Sequence, residues 1–170
     1  MLCANIALNA LGNVHAHQAA VGRTPGTMAV PRLDYAVFGN YGGLALGPSP
    51  RGEPVPVMTV DSLRLPACQM LKIDVEGMEG EVIAGADETI RRCRPVIYVE
   101  NDRVEKSAAL IGQLLGLDYR LYWHLPPLYN PQNYFAAAEN VFGTIVSANM
   151  LGFHASAAQE VPGLREIVSP

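Results

Sequence analysis

The chain has 170 residues, 49% of them apolar, and a formal net charge of −4. That length corresponds to one domain with enough apolar content for a single core, and the mild acidity lacks the basic footprint of a nucleic-acid or anionic-membrane binder. No apolar run reaches the roughly 18–20 residues that span a bilayer, and the start, Met1-Leu2-Cys3-Ala4-Asn5, lacks a basic leader region. Cys3, Cys68 and Cys93 are scattered and odd in number, so neither a disulfide framework nor a zinc site is expected. The expectation is a single cytoplasmic domain over residues 1–170, with neither nucleic acid nor membrane as a partner.

Residues 2–12 are predicted as a short helix, with Leu2, Ile6 and Asn9 at helical spacing and Gly12-Asn13 as its C-cap. Val14–Val21 reads as a strand and Gly22–Gly26 as a turn. From Met28 to Val57 glycine and proline punctuate short apolar pieces, which predicts a β-hairpin or irregular excursion around Asn40-Tyr41-Gly42-Gly43. That glycine-rich piece lacks the strand before and helix after that a phosphate-binding loop needs. Met58–Leu63 reads as a short strand or turn.

Met70-Leu71-Lys72-Ile73-Asp74-Val75 is predicted as a parallel strand covered on both faces. Glu76-Gly77 turns the chain into a helix whose Val82, Ala86 and Ile90 share a face, with Arg91, Arg92 and Arg94 toward its negative end and Pro95 stopping it. Val96–Glu100 is the next buried strand. A second helix carries Val104, Ala108, Ile111 and Leu115 on one stripe and ends near Gly116. Tyr119–Trp123 reads as a strand, residues 124–139 as a Pro-rich loop, and Val141–Ala148 as the last strand; beyond Gly152 no pattern is evident.

Strands alternating with helices argue an α/β fold with a parallel sheet. In such sheets ligands bind outside the carboxyl ends of the strands. That rule selects Asp74-Val75-Glu76, Glu100-Asn101-Asp102 and Trp123-His124. An antiparallel last strand would bring Asn140 to the same edge as His124.

Asp74 and Glu76 are two apart, so on an extended chain they point the same way. Such a pair can hold a metal, accept a proton or bind ligand hydroxyls, or it can merely favour the N-terminus of the helix that follows. Lys72 lies on the same side as Asp74, and a lysine in a buried strand needs a carboxylate, either Asp74 or Glu100. His124 is the candidate general base, because imidazole titrates near pH ~6.5; otherwise it is a packing or surface residue. His15 and His17 share a strand face but have no third ligand nearby, so no metal site is expected. Metal-assisted hydrolysis at Asp74 and Glu76 needs more ligands than the sequence offers.

The stretch Leu71-Lys72-Ile73-Asp74-Val75-Glu76-Gly77-Met78-Glu79, followed by Val82-Ile83-Ala84-Gly85-Ala86, resembles the FkbM-type methyltransferase family. Arg94-Pro95-Val96-Ile97-Tyr98-Val99-Glu100-Asn101 is similar to that family's next strand, and Asn5-Ile6-Ala7-Leu8-Asn9, Asn13-Val14 and Ala19-Ala20-Val21-Gly22 to its early helix and third strand. Tyr122-Trp123-His124, Asn133-Tyr134 and Asn140-Val141-Phe142 fit its late part.

The resemblance implies a class I methyltransferase-like (Rossmann-like), mostly parallel sheet, with an antiparallel last strand inserted between its two predecessors. It implies S-adenosylmethionine as cofactor and methylation of hydroxyl oxygens on sugars or natural-product-like small molecules. It also implies an opening strand, a Gly-rich loop, a helix and a second strand; that unit is expected to be missing, making the domain N-terminally truncated. Val14–Val21 is then expected to pair directly with Leu71–Val75, and cofactor binding by this chain alone to be weak or absent.

In the implied site, Asp74 and Glu76 border donor and acceptor, with Lys72 beside Asp74 on the cofactor side. His124 or Glu100 is the base. Asn101 and Asn140 contact the acceptor, and the loop 125–139, with Tyr129, Tyr134 and Phe135, shapes a pocket for a glycan-like molecule. The alternative is a non-catalytic remnant of such an enzyme.

Overall fold

The computed structural model describes residues 1–34, 36–39, 42–44, 52–157 and 161–170. Asn40 and Tyr41, at the centre of the predicted hairpin excursion, lie outside the described residues. In chain order the elements are α1 (Leu2–Leu8), β1 (Ala20–Val21), β2 (Gly26–Val30), β3 (Glu53–Met58), a 3-10 turn (Asp61–Leu63), β4 (Met70–Ile73), α2 (Glu79–Ala84), α3 (Asp87–Cys93), β5 (Val96–Glu100), α4 (Val104–Leu115), β6 (Tyr119–His124), β7 (Asn149–His154) and β8 (Arg165–Ile167). They form two sheets, a three-stranded one ordered β1-β3-β2 and a five-stranded one ordered β4-β5-β7-β6-β8.

In the larger sheet β4, β5 and β6 run in one direction, while β7 and β8 run against them. β7 sits between β5 and β6, so the only parallel neighbours are β4 and β5, and the other three pairings are antiparallel. The expected mostly parallel sheet is thus parallel in the direction of three strands but not in its ladders. β1 does not join this sheet: Ala20 and Val21 pair in parallel with Val57 and Met58 of β3. The expected strand Val14–Val21 shrinks to two residues because Val14–Gln18 are exposed and offer no apolar face to bury. β4 is therefore an edge of the sheet.

Strand alternation divides the larger sheet into two unlike faces. Ile73, Ile97, Val99, Leu121, Met150 and Ile167 are buried on one of them, where Leu110, Ile111 and Leu114 of α4 and Val82, Ile83 and Ile90 of α2 and α3 complete the core. On the other face Met70 and Lys72 are exposed, so β4 is covered on one side only, contrary to expectation. The α4 stripe is rotated from the one predicted. Val104 is 87% exposed and Ala108 is exposed, because Leu110, Ile111, Leu114 and Leu117 offer the larger apolar surface to the sheet.

The single helix predicted after Gly77 is broken in two at Gly85-Ala86. The Gly85 carbonyl accepts a 3.0 Å hydrogen bond from Asp61 N–H, and the Asp61 carboxylate accepts from the N–H groups of Glu88 and Thr89 at 3.1 and 2.8 Å. Asp61 thus caps α3 from outside the helix. α1 ends at Leu8 rather than near Gly12: the Asn9 side chain bonds the Asn5 carbonyl at 2.8 Å, and Ala10 takes the left-handed conformation that closes the helix.

Val141–Ala148 is not a strand. Asn140 makes a turn, accepting from Phe142 N–H and donating to the Gly143 carbonyl, and Gly143 is left-handed at φ +58. The returning strand is Asn149–His154, where Gly152 allows close approach: a Cβ there would lie 3.1 Å from Leu121 and 3.2 Å from Tyr119. β8, in the stretch without a readable pattern, pairs with β6 from Leu121↔Ile167 to Trp123↔Arg165.

At Gly85 an added Cβ would overlap the carbonyl oxygen of Gly22, whereas at Gly12 it would meet nothing within 4 Å. Gly85→Ala is expected to destabilise the fold by about 1–3 kcal/mol, since backbone cannot swing aside as a side chain can. Gly12→Ala is expected to be neutral to within about 0.5 kcal/mol. Urea denaturation monitored by circular dichroism measures both; equal midpoints for the two variants would contradict the contact.

Candidate functional site

The site begins where β4 ends. After Ile73 the chain passes through Asp74 and Val75 into two consecutive left-handed residues, Glu76 (φ +54) and Gly77 (φ +96). Glycine adopts this conformation freely, but at Glu76 it costs about 1–2 kcal/mol. Three contacts hold it. Arg103 donates to Glu76 Oε2 at 2.7 Å, Lys106 Nζ donates to the Gly77 carbonyl at 2.6 Å, and Gly77 N–H donates to Glu79 Oε1 at 2.9 Å. Arg103 is the N-cap of α4, Lys106 lies in its first turn and Glu79 opens α2, so two helix starts hold the bend.

The bend, rather than strand periodicity, brings Asp74 and Glu76 together. Asp74, Glu76 and Glu100 each offer an oxygen within 4.8 Å of the other two. Lys72 Nζ stands 2.6 Å from Asp74 Oδ2, with both side chains about half exposed (50% and 48%). Lys72 is therefore not the buried lysine expected, because its face of β4 is open.

Two cations thus face three carboxylates. Glu100 is the one without a cation: its Oε2 is buried and makes no hydrogen bond among the described residues. Its pKa is pushed up to about 7, first by burial, then by the negative charges of Asp74, Asp102 and Glu76 and by a hydrogen bond to Asp74.

His124 closes the row across the sheet. Register places Glu100 opposite Asn149 and Asn149 opposite His124, so these three share a face at the carboxyl ends of β5 and β6. Below them Lys72 is paired with Tyr98. The Tyr98 hydroxyl and His124 Nδ1 are hydrogen-bonded at 2.8 Å, and Lys72 Nζ lies 5.8 Å from the centre of the Tyr98 ring. Donation by Tyr98 puts the imidazole proton on Nε2, and donation by Nδ1 leaves Nε2 free to accept one. Asp74, Glu100 and His124 thus stand on one rim, with Asp74 and His124 linked through Lys72 and Tyr98.

The other sequence candidates are placed differently. Asn101 is buried and points to the opposite face from Glu100, its Nδ2 donating to Ser107 Oγ at 2.9 Å and to Met150 Sδ at 3.2 Å. Tyr129 donates to the carbonyls of Ala137 and Ala138 in its own loop. Tyr134 is 95% exposed, edge-on to Phe135. Asn140 lies in the turn before Gly143 rather than at the start of a strand, and Asn149 occupies the place expected for it. His15 and His17 are exposed and outside the acidic cluster.

Sequence reasoning missed Tyr98, Arg103 and Asn149. Tyr98 was within reach, since it is two residues before Glu100 on a strand and so shares its face. Asn149 was hidden by the misplaced last strand.

Glu100 gives the fold a pH dependence of known sign. Between its ordinary value of 4.5 and about 7, the native carboxyl holds a proton that the unfolded chain has released. Its contribution to stability is complete below pH 4.5 and is lost as pH rises through about 7. Glu100→Gln, neutral throughout, is expected to raise the melting temperature by a few degrees at pH ~8 and by less at pH ~5. Calorimetry at the two pH values measures this, and an identical shift at both would contradict a raised Glu100 pKa.

No curated protein and no solved structure matches the chain. Residues 4–121 match the methyltransferase FkbM domain, a span that runs from α1 through the Asp74–Gly77 bend and Glu100 into β6. With well over half of its length and the acidic bend inside the match, the chain belongs to the FkbM methyltransferase domain family.

Proposed function

We propose that this methyltransferase domain uses S-adenosylmethionine to methylate a hydroxyl oxygen of a small, sugar- or natural-product-like molecule, in the cytoplasm. The observation that carries this reading is Glu100. It is a carboxyl whose pKa is pushed up to about 7, beside Asp74 and Glu76, which pair with Lys72 and Arg103, on the open rim of the sheet. A base whose pKa sits near the working pH combines availability with proton affinity.

The residues present fit the cofactor's cationic part. Asp74 and Glu76 carry negative charge at the bend, and a cleft of about 240 Å³ beside them has apolar walls from Val21, Val75 and Met78 with Glu76 at its edge. Asp74 and Glu76 would hold that part, with Lys72 and Arg103 fixing their carboxylates. When bound, the cofactor supplies an electrophilic methyl group. Glu100 takes the acceptor hydroxyl's proton, and Asp74 and Glu76 keep the local potential negative. His124, oriented by Tyr98, faces the same side and positions the acceptor oxygen. Of the loop's rings, Tyr134 is free to stack on a glycan-like acceptor.

The test is transfer of a labelled methyl group from S-adenosylmethionine to a panel of hydroxylated glycans and phenols. Asp74→Asn is expected to lower transfer by at least about a hundredfold with an unchanged circular dichroism spectrum, because the amide keeps the shape and removes the charge. Transfer by the unaltered protein is expected to rise with pH through about 7, and Glu100→Gln to abolish that rise. Near-normal turnover by Asp74→Asn would overturn the assignment. Absence of transfer in the unaltered chain would favour the alternative, a domain without catalysis, in keeping with the weak cofactor binding that the resemblance implies for this chain alone.

A further inference from the structure

A second concave site lies on the same rim but opens on the other face of the sheet. It is a cleft of about 500 Å³, within the roughly 300–1,000 Å³ of small-molecule sites. Its walls come from the end of β5 (Asn101), the end of β6 (Trp123, Leu125), the approach to β7 (Ala148) and the approach to β8 (Leu164, Arg165). Trp123 and Arg165 are directly paired across β6 and β8, so their side chains leave the sheet side by side.

The lining is apolar except at two places. Asn101 is buried with its amide nitrogen already bonded, as described above, so it forms a floor rather than a hook. Arg165 makes no ion pair among the described residues. Its neighbour Glu166 does not neutralise it, because Glu166 turns to the opposite face and pairs with Arg120 at 2.9 Å. Trp123 packs partly against the core and is half-buried, while Leu125 remains 49% exposed beside it. At Gly163 (φ +85), where a Cβ would meet nothing within 4 Å, the chain swings into Leu164 and Arg165 without narrowing the mouth. The cleft therefore combines apolar walls with one positive charge at the side that no ion pair among the described residues compensates.

We infer that this cleft binds a small amphiphilic anion, with its carboxylate at Arg165 and its apolar chain or ring against Trp123, Leu125 and Leu164. An uncharged sugar would leave both the guanidinium and the apolar walls unmatched. The inference concerns binding alone and stands apart from methyl transfer at the carboxylate cluster.

Trp123 is the only tryptophan in the chain, so its emission, excited beyond the tyrosine absorption band, reports on this cleft. Titration with octanoate is expected to blue-shift the emission saturably, with a Kd below about 1 mM. Octanol, with the same chain and no charge, is expected to bind at least about tenfold more weakly. Arg165→Gln is expected to weaken octanoate about tenfold while leaving octanol unchanged, and Arg165→Lys to stay within about threefold of the unaltered protein. The absence of a saturable shift up to about 10 mM octanoate would overturn the proposal. Octanol binding as tightly as octanoate, or an Arg165→Gln variant indifferent to the loss of charge, would do the same. The comparison of the two ligands on the unaltered protein decides the matter even if a variant folds poorly.

Discussion

The left-handed bend at Glu76-Gly77 is the constraint on which the candidate site depends, and two of its three holding contacts come from basic residues at the start of α4. A helix N-terminus carries partial positive charge and favours acids. Asp102 and Glu105 at the start of α4 suit that end, whereas Arg103 and Lys106 beside them cost it a few tenths of a kcal/mol or more. The placement makes sense only with the bend included, because Arg103 meets the Glu76 carboxylate and Lys106 the Gly77 carbonyl. Unfavourable local electrostatics in one element thus offset backbone strain in another. The two are about 29 residues apart and become neighbours only through the β5 crossover.

The same bend determines how charge is shared. On an extended strand Asp74 and Glu76 would share a face but stand a full pleat repeat apart. The bend gathers them with Glu100 into a volume that Lys72 and Arg103 neutralise only in part. Of three acids with two cations, Glu100 is the one without a cation, and burial together with its acidic neighbours pushes its pKa up to about 7. Acid–base capacity near neutrality is then a property of the cluster rather than of any one residue.

Much of the larger sheet could be read from the chain because its signals are local. Val96–Glu100 is a short, mostly apolar run, Val82, Ala86 and Ile90 recur at helical spacing and all are buried, and the Lys72–Gly77 block lies inside the family match. The failures share a cause: each needed a partner distant in sequence. β7 is disguised by Asn149 and Gly152, which make sense only against Glu100, His124 and the crowded Leu121–Tyr119 pair. The apolar run 141–146 looked more strand-like but is captured by the Asn140 turn. β8 has three residues and no periodicity to read. Within the site, Asp74, Glu76 and Glu100 were visible as carboxylates at strand ends. The ion pair that locks Glu76 was not, since Arg103 reads as an ordinary surface arginine until the crossover is built.

Lys72 has a second consequence, for how copies of the chain behave toward one another. β4 is an edge strand, and its outer N–H and C=O groups are the kind of template on which another strand can add. Natural sheets discourage such addition with short edge strands and with lysine, whose charge is costly to desolvate between two sheets. β4 has both features, with four residues and Lys72 exposed at its middle beside an equally exposed Met70. The side chain that orients the Asp74 carboxylate is therefore also the guard of the sheet's open border. A neutral residue there would disturb the acid cluster and loosen the protection against self-association in one step, so any study of the site that alters Lys72 must follow particle size alongside chemistry.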